Sequence, residues 1–344
     1  MERILKTPPR ISPVNADEKR PIWSVMIPTY NCYQHIRQTL ESVLLQDPGP
    51  EMMQIEVIDD CSSDGDVEAL VLEVGKGRIG FYRQAQNVGH HRNFETCLNR
   101  SKGEYVHLLH GDDCVLNGFY KEIETLFEKH PNAGAAFTKN GYLDVWNNMS
   151  IPEKSLRNRA GILEDFLFDI AQGQMLQVVA MVVKRKVYED LGGFYAVNYC
   201  EDWEMWIRIA AHYPVAYTPN CLALYRGGQN NAASITSTSM VKGENFKNMY
   251  KAIELSQQYL PVEKRRFIKN MAKKRYSMHI AKASNNIYDY SSKVAFKQAL
   301  CALKMHQNSR TVYWVMRLYL KHFRHLVMGK SIKNHQLEIN ATQA

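Results

Sequence analysis

At 344 residues, with 45% hydrophobic side chains, the chain is long enough for a real core in one large domain plus a smaller one. Its net charge of +8 hides a division: residues 241–344 hold 20 Lys and Arg against 5 Asp and Glu, so residues 1–240 hold 23 against 30. A part at +15 joined to a part at −7 points to an acidic globular region and a basic region with an anionic partner of its own, nucleic acid or lipid.

Ser24-Val25-Met26-Ile27-Pro28 reads as a strand that stops at Pro28. Ile36, Leu40, Val43 and Leu44 then recur at helical spacing. Ile55 to Ile58 is a second strand, Val67 to Val74 a helix closed by Gly75, and Ile79 to Tyr82 a third strand. Phe94 to Leu98 marks a short helix, Tyr105 to Leu109 a fourth strand, Phe119 to Phe127 a helix and Ala135 to Thr138 a fifth strand. This alternation predicts βαβ units and a mostly parallel sheet flanked by helices, an α/β Rossmann-like architecture.

Beyond about residue 145 the rhythm changes. Asn147 to Gly161 is a polar loop, Met175 to Val183 an apolar strand, and Lys184 to Leu191 a short helix ending at Gly192-Gly193. Trp203, Trp206, Ile207 and Ala210 form a strong helix face. From residue 241 strand signals vanish. Pro261 opens a helix at its favoured first position, and Ser291 to Met305 and Ser309 to Met328 are two more, which together predict an all-helical C-terminal region. The implied divisions are a polar extension (1–20), a main domain (21–240, with halves at about 21–140 and 141–240), a basic helical region (241–330) and a tail (331–344). Seven scattered cysteines without a Cys-x-x-Cys pair give neither a disulfide framework nor a zinc site, and fit a reducing compartment. No apolar leader region and no span of ~20 apolar residues is visible, so a cytoplasmic protein is expected.

Four polar clusters fall at strand ends on one edge of the implied sheet, where open α/β sheets place ligands. Pro28-Thr29-Tyr30-Asn31 offers a ring for a nucleobase and, in Asn31, a cap for the next helix. Asp59-Asp60-Cys61-Ser62-Ser63-Asp64-Gly65 offers a carboxylate that can accept from a uracil edge. Asn87-Val88-Gly89-His90-His91-Arg92-Asn93 offers Arg92 to a phosphate. Here His90 and His91, as sequence neighbours, are poorly spaced to chelate one metal and read as surface or helix-start residues. His110-Gly111-Asp112-Asp113 offers hard oxygen donors for Mg²⁺ or Mn²⁺ holding a diphosphate, although either Asp could instead cap a helix.

The order Pro-Thr-Tyr-Asn, Asp-Asp-Cys-Ser-Ser-Asp-Gly, Asn-x-Gly-x-x-Arg-Asn, Lys-Gly-Glu-Tyr and x-Asp-Asp resembles the family 2 glycosyltransferases of GT-A fold over roughly residues 22–235. The resemblance implies a nucleotide-sugar-binding half followed by an acceptor half. Pro28, Tyr30 and Asn31 would border the base, Asp60 would bind its edge (hence a UDP-sugar), and Arg92 would lie near the nucleotide. Asp112 would touch the ribose or the metal shell, and Asp113 would ligate Mn²⁺ or Mg²⁺; His110 stands where many members have a first Asp.

Cys200-Glu201-Asp202-Trp203 lies at the family's Glu-Asp motif, so Asp202 would be the general base, with Glu201 and Trp203 beside the substrate. The ordinary alternative makes Asp202 the N-cap of its helix and Trp203 core. The Gln-x-x-Arg-Trp motif of polymer-extending members is missing. Tyr225-Arg226-Gly227-Gly228-Gln229-Asn230 and Ser234 resemble the non-processive members instead, with Gly228 in place of a His, Arg226 near the diphosphate and Gly227 to Ala233 as a mobile loop.

The expected activity is inverting sugar transfer from a nucleotide-sugar donor to a glycan or lipid-linked acceptor in bacterial cell-surface polysaccharide synthesis. The alternatives are a nucleotidyltransferase, whose Gly-rich basic first loop is absent, and a non-catalytic binding protein, against which Asp60, Asp113 and Asp202 argue. Val312, Val315, Met316, Tyr319, Phe323 and Leu326 line one face of the last helix, with Arg310, Arg317, Lys321 and Arg324 largely elsewhere. This face either packs on the protein or rests, through residues 309–328, on the anionic inner face of the plasma membrane. No recognised motif supports nucleic-acid binding, and the sequence leaves the oligomeric state open.

Overall fold

The computed structural model describes residues 3–15, 19–144, 146–227 and 245–327. The expected loop of Gly227 to Ala233 lies, after its first residue, outside the described residues, as do Ser234, Met328 and the tail. The chain divides into two compact units, residues 1–167 with 175–233, and residues 168–174 with 234–344.

The first unit is built on one mixed sheet. Its strands are β1 (Trp23–Thr29), β2 (Met53–Asp59), β3 (Gly80–Arg83), β4 (Tyr105–Leu108), β5 (Cys114–Val115), β6 (Ala135–Leu143), β7 (Met149–Ser150), β8 (Gly161–Ile162), β9 (Met181–Lys184) and β10 (Val215–Arg226). The order is β3-β2-β1-β4-β9-β6-β10-β5, with β7 on β6 and β8 on β10. The first four strands are parallel, as the βαβ rhythm predicts. The second half is mixed, because β9 runs antiparallel between β4 and β6 while β10 runs parallel to β6. Every residue of β1 is buried, which matches a strand covered on both faces.

The helices up to residue 212 are α1 (Tyr33–Leu44), α2 (Val67–Gly75), α3 (His90–Arg100), α4 (Phe119–Lys129), α5 (Phe166–Ala171), α6 (Arg185–Leu191) and α7 (Glu201–His212), with α5 running from the first unit into the second. Val25 and Ile27 of β1 join α1, α2 and α4 in one apolar cluster through Ile36, Leu40, Val67, Leu70, Phe119 and Ile123. Full burial of side chains this size contributes roughly 1.5–3 kcal/mol each.

Three sequence expectations change. The stretch Met175 to Val183 is not one strand: Val178–Ala180 forms a 3-10 turn, and only then does β9 begin. The turn is anchored where the Val179 carbonyl accepts from His107 Nε2 at 2.9 Å. The long strand β10 was not anticipated, because Pro219-Asn220 interrupts its apolar pattern; the ladder to β6 shifts register there. Residues 3–15 are a docked strap, not a free extension: Ile11 is buried, the Gly193 N–H donates to the Pro9 carbonyl, and Arg185 donates to Ser12.

The second unit holds α8 (Asn245–Ser256), α9 (Val262–Ile287), α10 (Ser292–Met305) and α11 (Ser309–Val327). Pro261 sits one place earlier than expected, as the N-cap of α9. Ile280, Ala295, Ala299, Val315 and Leu318 are buried, and Ser277 and Thr311 share a hydrogen bond of 2.9 Å. Of the expected apolar stripe on α11, Val315 alone is buried; Met316, Tyr319, Phe323 and Leu326 are each about 60% exposed. Among the described residues no helix is long and apolar enough to cross a membrane.

Candidate functional site

The carboxyl ends of β1, β2 and β4 carry three of the four clusters, and α3 opens on the other. Three ordinary residues adopt left-handed backbone at the loops in question: Asn31 (φ 48°), Cys61 (φ 62°) and Cys200 (φ 68°). Each costs of order 1–3 kcal/mol, and such strain gathers at functional sites.

Asn31 does not cap α1, whose N-cap is Cys32. Its Oδ1 instead accepts from Ser63 N–H at 2.9 Å and its own N–H donates to Ser62 Oγ at 3.0 Å, tying the first loop to the second. Asp64 takes the capping place by accepting from the Tyr33 N–H. Pro28 lies in β1 opposite Ile58, and the Tyr30 ring stands 43% exposed just beyond. Asp59 is buried, held by Ser62 and by Arg83 at 2.8 Å. Asp60 accepts from Val88 N–H at 2.7 Å, Gly89 N–H at 2.9 Å and Asn87 Nδ2 at 3.1 Å, so it clasps the start of the third cluster. Burial raises its pKa against the pull of those N–H groups. Oδ1, which accepts only the Val88 N–H, keeps a second lone pair with which to meet a base, while Oδ2 already accepts two bonds. Arg92, in the first turn of α3, pairs with Glu95 at 2.7 Å.

Neither Asp112 nor Asp113 caps a helix, since the N-cap of α4 is Gly118. Gly111 is required: a Cβ there would meet Cys32 Sγ at 2.7 Å and Thr29 Oγ1 at 2.8 Å. The pairing of Cys114 with Leu224 aligns β10 so that the Arg226 N–H donates to Asp113 Oδ1 at 2.8 Å. Asp113 Oδ2 is buried with no hydrogen-bond partner, 3.8 Å from His110 Nδ1. Burial pushes Asp112 up to about 6; burial and then Asp112 itself raise Asp113 further. Ligating atoms of His110, Asp112 and Asp113 all lie within 4.8 Å of one another. This is a fitting cradle for a divalent cation: an orphaned carboxylate oxygen is what such an ion would satisfy. His110 is stacked on Phe94 at 5.5 Å, and burial lowers its pKa to about 4.

The structure places Arg226 as a brace. Its guanidinium donates to Asp112 O (2.8 Å), Asp144 O (3.2 Å), Asn147 Oδ1 (2.7 Å) and Gln38 Oε1 (2.6 Å), and it is 3% exposed. Such outer partners of a metal site typically change affinity 10–100-fold when altered. Arg226→Lys is therefore expected to weaken Mn²⁺ binding about tenfold or more. Calorimetric titration checks this; unchanged affinity refutes the bracing role.

At α7 the N-cap is Cys200, so Asp202 is not the cap but the second residue of the first turn. Its Oδ1 accepts from the adjacent Trp203 N–H at 2.7 Å. Trp203 is fully buried in the core. Glu201 reaches His90, with Oε1 3.5 Å from Nε2. His90 and His91 open α3, the helix-start alternative, and are turned inward: they converge on each other, rings 4.5 Å apart, and on Glu201. Sequence adjacency hid this, because the partner carboxylate lies more than a hundred residues away.

Comparison with known proteins follows from this geometry. Residues 24–192 match the family described as glycosyl transferase family 2. The chain carries a family 2 glycosyltransferase domain. Among curated proteins, the chain is 27% identical over 241 residues to a putative teichuronic acid biosynthesis glycosyltransferase of Bacillus subtilis, TuaG, covering 68% of this chain and 89% of that one. Among solved structures it resembles residues 1–349 of Staphylococcus aureus TarS in complex with UDP-GlcNAc, with TM-score 0.63 at 14% identity, over 89% of this chain and 92% of that one. A mannosyltransferase from Pyrobaculum calidifontis with GDP-Man and Mn²⁺ gives TM-score 0.54 at 16% identity, over 94% and 87%. The fold is GT-A, with helices beyond the domain.

Proposed function

We propose that the chain moves a sugar from a UDP-sugar to a hydroxyl of a cell-surface glycan or lipid-linked saccharide, with inversion at the anomeric carbon. One observation carries this reading. Asp113 and Glu201 are linked by an unbroken line of contacts: Asp113 to His110 (3.8 Å), His110 on Phe94 (5.5 Å), Phe94 to His90 (5.7 Å) and His90 to Glu201 (3.5 Å). The strand tip suited to a diphosphate and its cation thus adjoins the helix start that offers Asp202.

In this reading Tyr30 stacks on the base and Asp60 accepts from its edge. Asp112, Asp113 and His110 hold Mn²⁺ or Mg²⁺, which when bound offsets charge on the leaving diphosphate. Asp202 takes the acceptor's proton as its oxygen attacks the anomeric carbon. A UDP donor agrees with the nucleotide bound to TarS, and a teichuronic-type polymer agrees with the relative's name. A GDP-sugar, such as the GDP-Man bound to the mannosyltransferase, is the competing choice. A panel of nucleotide sugars with Mn²⁺, read by thermal shift and by release of nucleoside diphosphate, tests the reading. A UDP-sugar is expected to stabilise the fold by about 2.7 kcal/mol at a hundred times its Kd. If no nucleotide sugar stabilises the protein or is turned over, the reading fails.

We further propose that α11 rests on an anionic membrane surface. Its exposed Met316, Tyr319, Leu320, Phe323 and Leu326 are flanked along one side by Arg317 and Arg324, while Lys321 pairs with Asp289 at 2.7 Å. Each basic residue near such a surface contributes about 1 kcal/mol. The double change Leu320→Glu and Phe323→Glu is expected to abolish flotation with phosphatidylglycerol vesicles while leaving the melting temperature unchanged. Flotation equal to the unaltered chain refutes the proposal.

A further inference from the structure

Four buried side-chain atoms without hydrogen-bond partners gather in this region: Asp113 Oδ2, His110 Nε2, His90 Nε2 and His91 Nδ1. The first two belong to the cradle described above. The other two lie across Phe94, beside Glu201.

His91 is 1% exposed, and its Nε2 lies 2.8 Å from the Val197 carbonyl. A carbonyl oxygen only accepts, so the Val197 carbonyl places the proton on Nε2; Nδ1 has no hydrogen-bond partner and presents a lone pair, and the Phe194 carbonyl also lies against the ring. Metal-binding imidazoles are commonly oriented in this way, by donating the other nitrogen to a backbone carbonyl. His90 Nε2 lies 3.5 Å from Glu201 Oε1. Ligating atoms of the three residues all lie within 4.8 Å of one another.

We propose that His90, His91 and Glu201 form a second cation site, separate from Asp112–Asp113 and selective for a borderline-soft transition metal such as Zn²⁺ or Co²⁺. Two imidazoles and one carboxylate suit such ions, whereas the carboxylate-rich cradle suits Mg²⁺ or Mn²⁺. Three protein ligands leave a coordination position open. The ion ties the first turn of α3 to the first turn of α7, one residue from Asp202. It therefore acts on how that side chain is placed, and its existence does not depend on the transfer reaction.

The test uses the full chain carrying Asp113→Asn, titrated with Co²⁺ and followed by visible d–d absorption. One Co²⁺ per chain is expected. His90→Gln and Glu201→Gln, each added to that background, are expected to lower the affinity at least about tenfold, as loss of a ligand or its support does. Metal-free melting curves establish that the variants fold, and Glu201→Gln, which preserves shape, decides the matter if His90→Gln does not. Failure of the Asp113→Asn chain to bind Co²⁺, or equal affinity after loss of the His90 or Glu201 donor, overturns the proposal.

Discussion

Asp202→Asn is expected to leave nucleotide-sugar binding intact and to lower turnover about 10²–10⁴-fold, the usual worth of a positioned base. The exchange preserves shape. Asparagine Oδ1 still accepts from the Trp203 N–H, as Asp202 Oδ1 does at 2.7 Å, so α7 keeps its first turn. What is lost is a negative charge near the helix start, a stability cost of only about 0.3–1 kcal/mol. Because Cys200 occupies the capping position, capping does not explain a large loss of activity. Donor Kd from calorimetry and turnover with acceptor separate the two roles. Turnover within threefold of the unaltered enzyme removes Asp202 from the chemistry and leaves it a dipole partner.

The parallel half of the sheet was legible because β1, β2 and β4 are short apolar runs and α1, α2 and α4 repeat their buried faces. Asp112 and Asp113 were legible as a pair at a strand tip for the same reason. The rest depends on contacts between distant residues. His90 and His91 acquire meaning only when Glu201 arrives beside them, and Arg226 becomes a brace only because β5 pairs with β10. Local pattern carries no trace of either event. The strand β10 was hidden by Pro219 and a register shift, while Val178–Ala180 has a strand's composition but turns to meet His107. The exposed stripe on α11 was visible as apolar spacing, yet which residues the helix buries depended on packing within its own unit.

Asp113→Asn is expected to abolish cation-dependent activity, by about 10²–10³-fold or more, and at the same time to raise the melting temperature of the metal-free protein. The two effects have one cause. Asp113 is fully buried; its Oδ1 accepts from the Arg226 N–H, but Oδ2 has no partner and Asp112 lies beside it. Ionising this buried carboxyl beside a second carboxylate is costly, which raises its pKa, and a neutral amide in its place escapes that cost. The carboxylate is thus a stability defect that a divalent cation repairs, the usual relation between a binding site and the fold that carries it. Adding Mn²⁺ is accordingly expected to stabilise the unaltered chain and to leave the Asp113→Asn chain nearly unchanged, and a chelator to reverse the gain. Melting curves of both proteins with and without Mn²⁺ give four temperatures. A metal-free variant that melts lower than the metal-free parent, or full activity in chelator, dismisses Asp113 as a ligand.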